Sequence, residues 1–126
     1  MEPRRSNITR SGNPSGSVAA QERVEQLTDA ATVTPNADLY NRGYLASVSQ
    51  ATVIADPSGT PGNFQQYILR ITSAASQTLS FGSQFRATAA NPLPASTSGS
   101  GLTDYYGFHW NAASSTWDQL AKSEGF

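Results

Sequence analysis

The sharpest pattern in the chain lies at residues 104–111 and 116–120, where two aromatic-rich runs flank the small, polar segment 112–115. Such runs joined by a short polar turn predict a β-hairpin. Strand alternation puts Leu102, Asp104, Tyr106, Phe108 and Trp110 on one face. Thr103, Tyr105, Gly107, His109 and Asn111 fall on the other. The first face is bulky enough to anchor a core. The second is amphipathic and suits contact with a partner.

The same alternation recurs upstream in shorter pieces. Residues 64–72 carry Tyr67, Leu69 and Ile71 on one face and form the clearest central strand. Residues 43–49 and 51–55 are rich in β-branched and aromatic side chains. Between them and the central strand, residues 56–63 form a strong Asp/Pro/Gly/Asn turn cluster. Residues 78–81 return with Leu79 and Phe81 inward, and Gly82 suits a bulge or bend before residues 84–87. Residues 28–34 read as a turn into a strand that Pro35 and Asn36 end, and residues 21–27 fit either a helical turn or an edge strand. No helix longer than two turns and no internal repeat is visible. About seven or eight short strands at this spacing predict a single all-β domain over residues 24–126, a β-sandwich or jelly roll.

Residues 1–23 break the pattern. They hold Arg4, Arg5, Arg10 and Arg23, four of the eight basic residues, and Pro3, Gly12, Pro14 and Gly16 interrupt any regular element. The segment reads either as a disordered tail or as an extended N-terminal arm that orders on a partner. Twenty-odd extended residues reach about 70 Å. Residues 88–101 form a Pro/Ser/Gly-rich loop, long enough to be functional or flexible.

Composition narrows the function. Charged residues make up only 13% of the 126-residue chain and the net charge is −1, so the basic surface of a nucleic-acid binder is not expected. Cysteine is absent, which removes disulfides, thiolate metal sites and cysteine nucleophiles. No apolar run approaches the roughly 20 residues of a membrane span, so no membrane insertion is expected. The basic N-terminus lacks the apolar segment of a secretory signal, and Asn7-Ile8-Thr9 then matches the glycosylation triplet by chance.

The chemistry is equally spare. His109 is the only histidine and has no nucleophile motif beside it, so neither a catalytic triad nor a metal site is expected. Asp29, Asp38, Asp56, Asp104 and Asp118 are scattered, and turn or cross-strand roles explain them before a glycosidase pair does. No glycine pattern matches a phosphate loop, and no cofactor is expected. Tyr44, Tyr105 and His109 remain as candidates for an exposed face that stacks on sugar rings or fills a protein interface.

Residues 27–126 resemble small β-sandwich modules of tailed-bacteriophage virion proteins, found at tail-fibre ends and as free-standing head accessory proteins. The likeness rests on Leu27-Thr28-Asp29-Ala30-Ala31-Thr32, Ala51-Thr52-Val53-Ile54-Ala55-Asp56-Pro57 and Tyr67-Ile68-Leu69-Arg70-Ile71. It continues through Thr78-Leu79-Ser80-Phe81-Gly82-Ser83, Thr103-Asp104-Tyr105-Tyr106-Gly107-Phe108 and Thr116-Trp117. The resemblance implies a non-enzymatic structural protein, a homotrimer, located in a virion assembled in the host cytoplasm. Fibre modules usually follow a long repetitive shaft, whereas this chain carries a short basic arm. The expected role is therefore a capsid decoration or cement protein whose partner is the major capsid protein or another virion protein. Arg4, Arg5 and Arg10 would lie across capsid subunits. The alternative is the receptor-binding tip of a tail fibre or head spike, with Tyr44, Tyr105, His109 and the 88–101 loop contacting a host surface glycan.

Overall fold

The computed structural model describes residues 22–126. The expected arm lies outside them except for Glu22 and Arg23, as do Arg4, Arg5 and Arg10. All regular elements among the described residues are strands, as the sequence predicts. They are β1 (Val24–Gln26), β2 (Thr32–Val33), β3 (Arg42–Leu45), β4 (Thr52–Ile54), β5 (Gln66–Thr72), β6 (Leu79–Phe81), β7 (Phe85–Arg86), β8 (Thr103–Asn111) and β9 (Thr116–Ser123). The ambiguous segment before Leu27 is an edge strand.

The connectivity differs from the expected jelly roll, which is built of antiparallel strands. Six strands form one sheet in the order β1-β3-β5-β8-β9-β7, and β2-β4-β6 form a second. The chain alternates between the sheets, so β1, β3 and β5 stack in parallel in one and β2, β4 and β6 in the other. A parallel pair needs a long crossover, and here each crossover contains a strand of the opposite sheet. The result is three stacked coils. The corners stack too, with Asn36 bridging Ser58 in parallel. This repeat is invisible in the sequence because the coils differ in length: the turn cluster at 56–63 lengthens the second. Only β8 and β9 form the predicted hairpin, antiparallel to each other, and β8 also pairs antiparallel with β5.

The core fills the space between the sheets. Leu45, Leu69, Ile71, Tyr106, Phe108 and Trp117 enter from the large sheet, Val33, Ile54 and Leu79 from the small one. Phe85 packs edge to face against Phe81 and Phe108, with centroids 5.2 and 5.0 Å away. Burying each of these large apolar side chains contributes roughly 1.5–3 kcal/mol. The predicted inward faces hold for Tyr106, Phe108 and Trp110 of β8 and for Tyr67, Leu69 and Ile71 of β5, whereas Leu102, expected on the same face, precedes β8 and is exposed.

Polar side chains bind the coils at their corners. Asp29 accepts hydrogen bonds from the hydroxyl and N–H of Ser49. Asp38 accepts from Thr60 N–H at 2.8 Å, and Asp56 from Gln84 N–H at 2.8 Å. Each of these carboxylates reaches from one coil to the next. Gly82 is a tight corner, since a Cβ there would overlap the Asp56 carboxylate. Asp104, fully buried, accepts from Ser98 N–H (2.8 Å), Ser98 Oγ (2.5 Å) and Gly125 N–H (3.0 Å). It holds the 88–101 loop against β8. Thr97 anchors the same loop through Ser73 Oγ and Gln77 N–H, and Leu79 N–H donates to Ala95. The loop therefore lies hydrogen-bonded along β6 and covers that edge of the small sheet.

One contact spans all three coils. Tyr67 Oη of β5 donates to Glu25 Oε2 of β1 at 2.6 Å, passing over Gly43 of β3. A Cβ at Gly43 would overlap the Tyr67 hydroxyl. Burial, then the Glu25 carboxylate, push the Tyr67 phenol well above its ordinary pKa, so it stays a donor. Gly43→Ala is expected to destabilise the protein by about 1–3 kcal/mol by overpacking. Tyr67→Phe should cost about 1–2 kcal/mol through the lost hydrogen bond. In the double variant the overlap is relieved, so the losses should fall short of additive. A denaturant-melt double-mutant cycle with additive losses would show that the two residues do not meet.

Candidate functional site

The outer face of the large sheet carries the candidates. In-register pairing lines up Gln26, Tyr44, Arg70, Tyr105 and Ser123 in one row across five strands. The next row contains Val24, Arg42, Ile68, Gly107 and Ala121. Alternation fixes this placement, because the intervening residues face the core.

The two rows form a hollow of about 330 Å³ lined by Val24, Arg42, Gly43, Tyr44, Ile68, Arg70 and Tyr105. The Arg70 guanidinium lies over the Tyr44 ring, 4.7 Å from its centroid. Such a cation–π contact contributes roughly 0.5–1 kcal/mol at an exposed site. Tyr44 is steadied in turn by its hydroxyl, which donates to Gln26 Oε1 at 3.3 Å. Tyr105 flanks Arg70 from β8 and meets Phe126 edge-on at 5.6 Å. Phe126 is held there by paired backbone hydrogen bonds with Thr103. At the opposite rim Arg42 bridges Glu22 at 3.1 Å. Hydrogen bonds from Asn41 and then Arg42 hold the Glu22 carboxyl below its ordinary range. Arg70 has no carboxylate partner among the described residues.

Two of the three expected face residues, Tyr44 and Tyr105, thus line one hollow. His109 does not join them. It shares the face but sits four positions along β8 from Tyr105, about 13 Å at the strand rise. There it borders a separate hollow with Asn63, Phe64, Trp110, Asn111 and Ala113. Phe64 stacks edge-on against it at 5.6 Å. The sequence places Phe64 at the start of a strand. In the structure it occupies the third position of a turn closed by Gln65 N–H to Gly62 O, with φ of 66°, and the strand begins at Gln66. A left-handed backbone is costly for a bulky residue, about 1–2 kcal/mol. The bond from Phe64 N–H to Trp110 O helps to hold it.

The 88–101 loop is tied down at several points along its length. Ala95 and Thr97 attach it along β6 of the small sheet, while Ser98 is held by Asp104 of β8, and Asn91 and Pro92 by Gln119 and Lys122 of β9, in the large one. Sequence reading missed Arg70 and Arg42. Their outward positions on β5 and β3 were readable from alternation, but their nearness to the tyrosines depends on parallel register.

Five aspartates that might have served chemistry are engaged structurally. Four hold corners or loops as described. Asp118, beside His109 across the hairpin, accepts from Arg86 Nε and a terminal guanidinium nitrogen at 2.8 and 2.9 Å. No group of three or more His, Cys, Asp or Glu positioned to hold a metal occurs among the described residues. Comparison with family models, curated proteins and solved structures finds no match to this chain.

Arg86, followed by Thr116 and Asn111, lowers the Asp118 carboxyl to a pKa of about 2. A carboxyl depressed on folding contributes its stabilisation above the unfolded value, near 3.9, and loses it as pH falls through the folded value. Asp118→Asn is therefore expected to flatten the stability–pH curve between about pH 4 and 2. The loss at pH 7 should stay below about 1 kcal/mol because the pair is partly solvated. Denaturant melts across that range test this, and an unchanged slope would contradict it.

Proposed function

We propose that this chain is a structural, non-enzymatic virion protein of a tailed phage, a capsid decoration or cement protein on the outer head surface. Residues 24–126 would act as a sandwich-like head and residues 1–23 as the arm. The observation that supports this reading is the asymmetry of the coil stack. One end is covered: β8 and β9 extend the large sheet, and residues 95–97 run along β6. At the other end β1 and β2, the first coil, are edge strands of both sheets. Edge strands present backbone N–H and C=O groups that can pair with another chain.

The described chain starts at this end, with Glu22 two residues before β1. An anchored segment carrying Arg4, Arg5 and Arg10 suits the carboxylates of a neighbouring capsid subunit, because a guanidinium pairs with them bidentately. In a homotrimer three such arms would act together, and multivalency turns weak single contacts into strong attachment. Deleting residues 2–20 is expected to abolish binding to purified particles while leaving the thermal melt of the domain unchanged. Full-strength binding by the truncated protein would refute the arm's role.

A second reading, a receptor-binding tip of a tail fibre or head spike, is favoured by the Arg70–Tyr44 stack beside Tyr105. Tyrosine faces next to an apolar floor suit a sugar ring. In this case Tyr105→Ala should lose attachment to host cells and keep particle assembly. Normal adsorption by that variant would eliminate the reading.

A further inference from the structure

We infer that the hollow around Arg70 is a binding site for a carboxylate-bearing sugar, with Arg70 as the anion anchor and Tyr105 as the ring platform. The inference rests on the glycan reading and names its ligand class. It starts from how Arg70 is held. An acid that orients an arginine also occupies its donors. Arg86 is paired with Asp118 and Arg42 with Glu22. Arg70 is oriented instead by the face of Tyr44, which occupies none of its N–H groups. A stacked guanidinium keeps its planar fork of donors for a carboxylate and has already lost much of its rotamer freedom.

The surroundings ask for more than an anion. Beside Arg70 lie the half-buried Ile68 and the ring of Tyr105, an apolar floor and a flat aromatic face. A ligand that satisfies both needs one apolar ring face and one carboxylate, which is the chemistry of a uronic or sialic acid. Size argues the same way. The hollow, about 330 Å³, lies at the lower end of the roughly 300–1,000 Å³ of small-ligand pockets. It is bounded at one rim by the Glu22–Arg42 bridge and at the other by Phe126 against Tyr105. A bounded hollow receives a compact ligand better than it receives the broad face of a protein.

The test uses the full chain and three probes: methyl β-D-glucuronide, methyl α-N-acetylneuraminide, and tetraglutamate as a carboxylate without a sugar ring. Methyl β-D-glucoside is the neutral control. Binding is followed by chemical-shift changes of backbone amides. At least one acidic sugar is expected to shift the amides of Tyr44, Ile68, Arg70 and Tyr105, and to bind at least tenfold tighter than the glucoside. Arg70→Gln should weaken it tenfold or more and remove the preference over the glucoside, with Arg70→Lys in between. Tyr105→Ala should weaken acidic and neutral sugars alike. Arg70 is exposed, and an unchanged melt confirms that the variant is folded.

Equal binding of the glucoside at this site would overturn the acidic class while leaving the glycan reading standing. Tetraglutamate binding as tightly as the sugars, with the same loss in Arg70→Gln, would assign the site to protein carboxylates instead. No binding by any sugar would remove both the inference and the glycan reading.

Discussion

The hydrogen bond from Tyr67 to Glu25 joins the first coil to the third, and the geometry of the stack depends on it. Glu25 points inward from an edge strand, where an unpartnered carboxylate would be costly. Tyr67 and the N–H of Asn36 satisfy it. Asn36 begins the corner that leads into the second coil, so one carboxylate sets both a strand spacing and a turn. Gly43 leaves room for the contact, and Trp117 backs the Tyr67 ring from the hairpin, with centroids 6.5 Å apart. A polar pair thus specifies where coils made mainly of short strands must lie.

Short strands cannot supply such specification alone. β2 has two residues and β1, β4 and β6 have three, too few to fix register by side-chain pattern. The corner aspartates add what the strands lack. Asp29, Asp38 and Asp56 each accept from a backbone N–H one coil further on, and Asp104 does the same for the loop beneath the hairpin. Glu25, Asp29, Asp38 and Asp56 thus work as acceptors that set the pitch of the stack. This leaves the outer face of the large sheet to Tyr44, Arg70 and Tyr105, in a row whose spacing the inner contacts maintain.

Much of the fold was legible in the sequence. The faces of β8 and β5 followed from period-two alternation, and the hairpin turn from the polar break at 112–115. The coil stack was not legible. Parallel and antiparallel arrangements of short strands share the same alternation, and only pairing across distant segments distinguishes them. Unequal corner lengths hid the repeat. The site was half legible for the same reason: Tyr44 and Tyr105 are outward aromatics, which alternation can show. Arg70 stands between them only because β3 runs parallel to β5 in this register. Phe64 was misplaced because a left-handed backbone at a bulky residue runs against every local preference.

The hairpin that caps the stack also has a place in time. During synthesis the three coils emerge first, with Leu45, Leu69 and Ile71 facing Val33, Ile54 and Leu79 of the small sheet. Tyr106, Phe108, Trp110 and Trp117, the aromatic bulk of the large-sheet core face, lie beyond residue 102. At roughly 5–20 residues per second the ribosome leaves β5 waiting a few seconds for β8. Throughout that interval the free edge of β5 is open to strands of other nascent chains. Crowded polysomes making this protein are therefore where its parallel coils are most exposed to mispairing, and a chaperone that shields the β5 edge during those seconds would act at the vulnerable step.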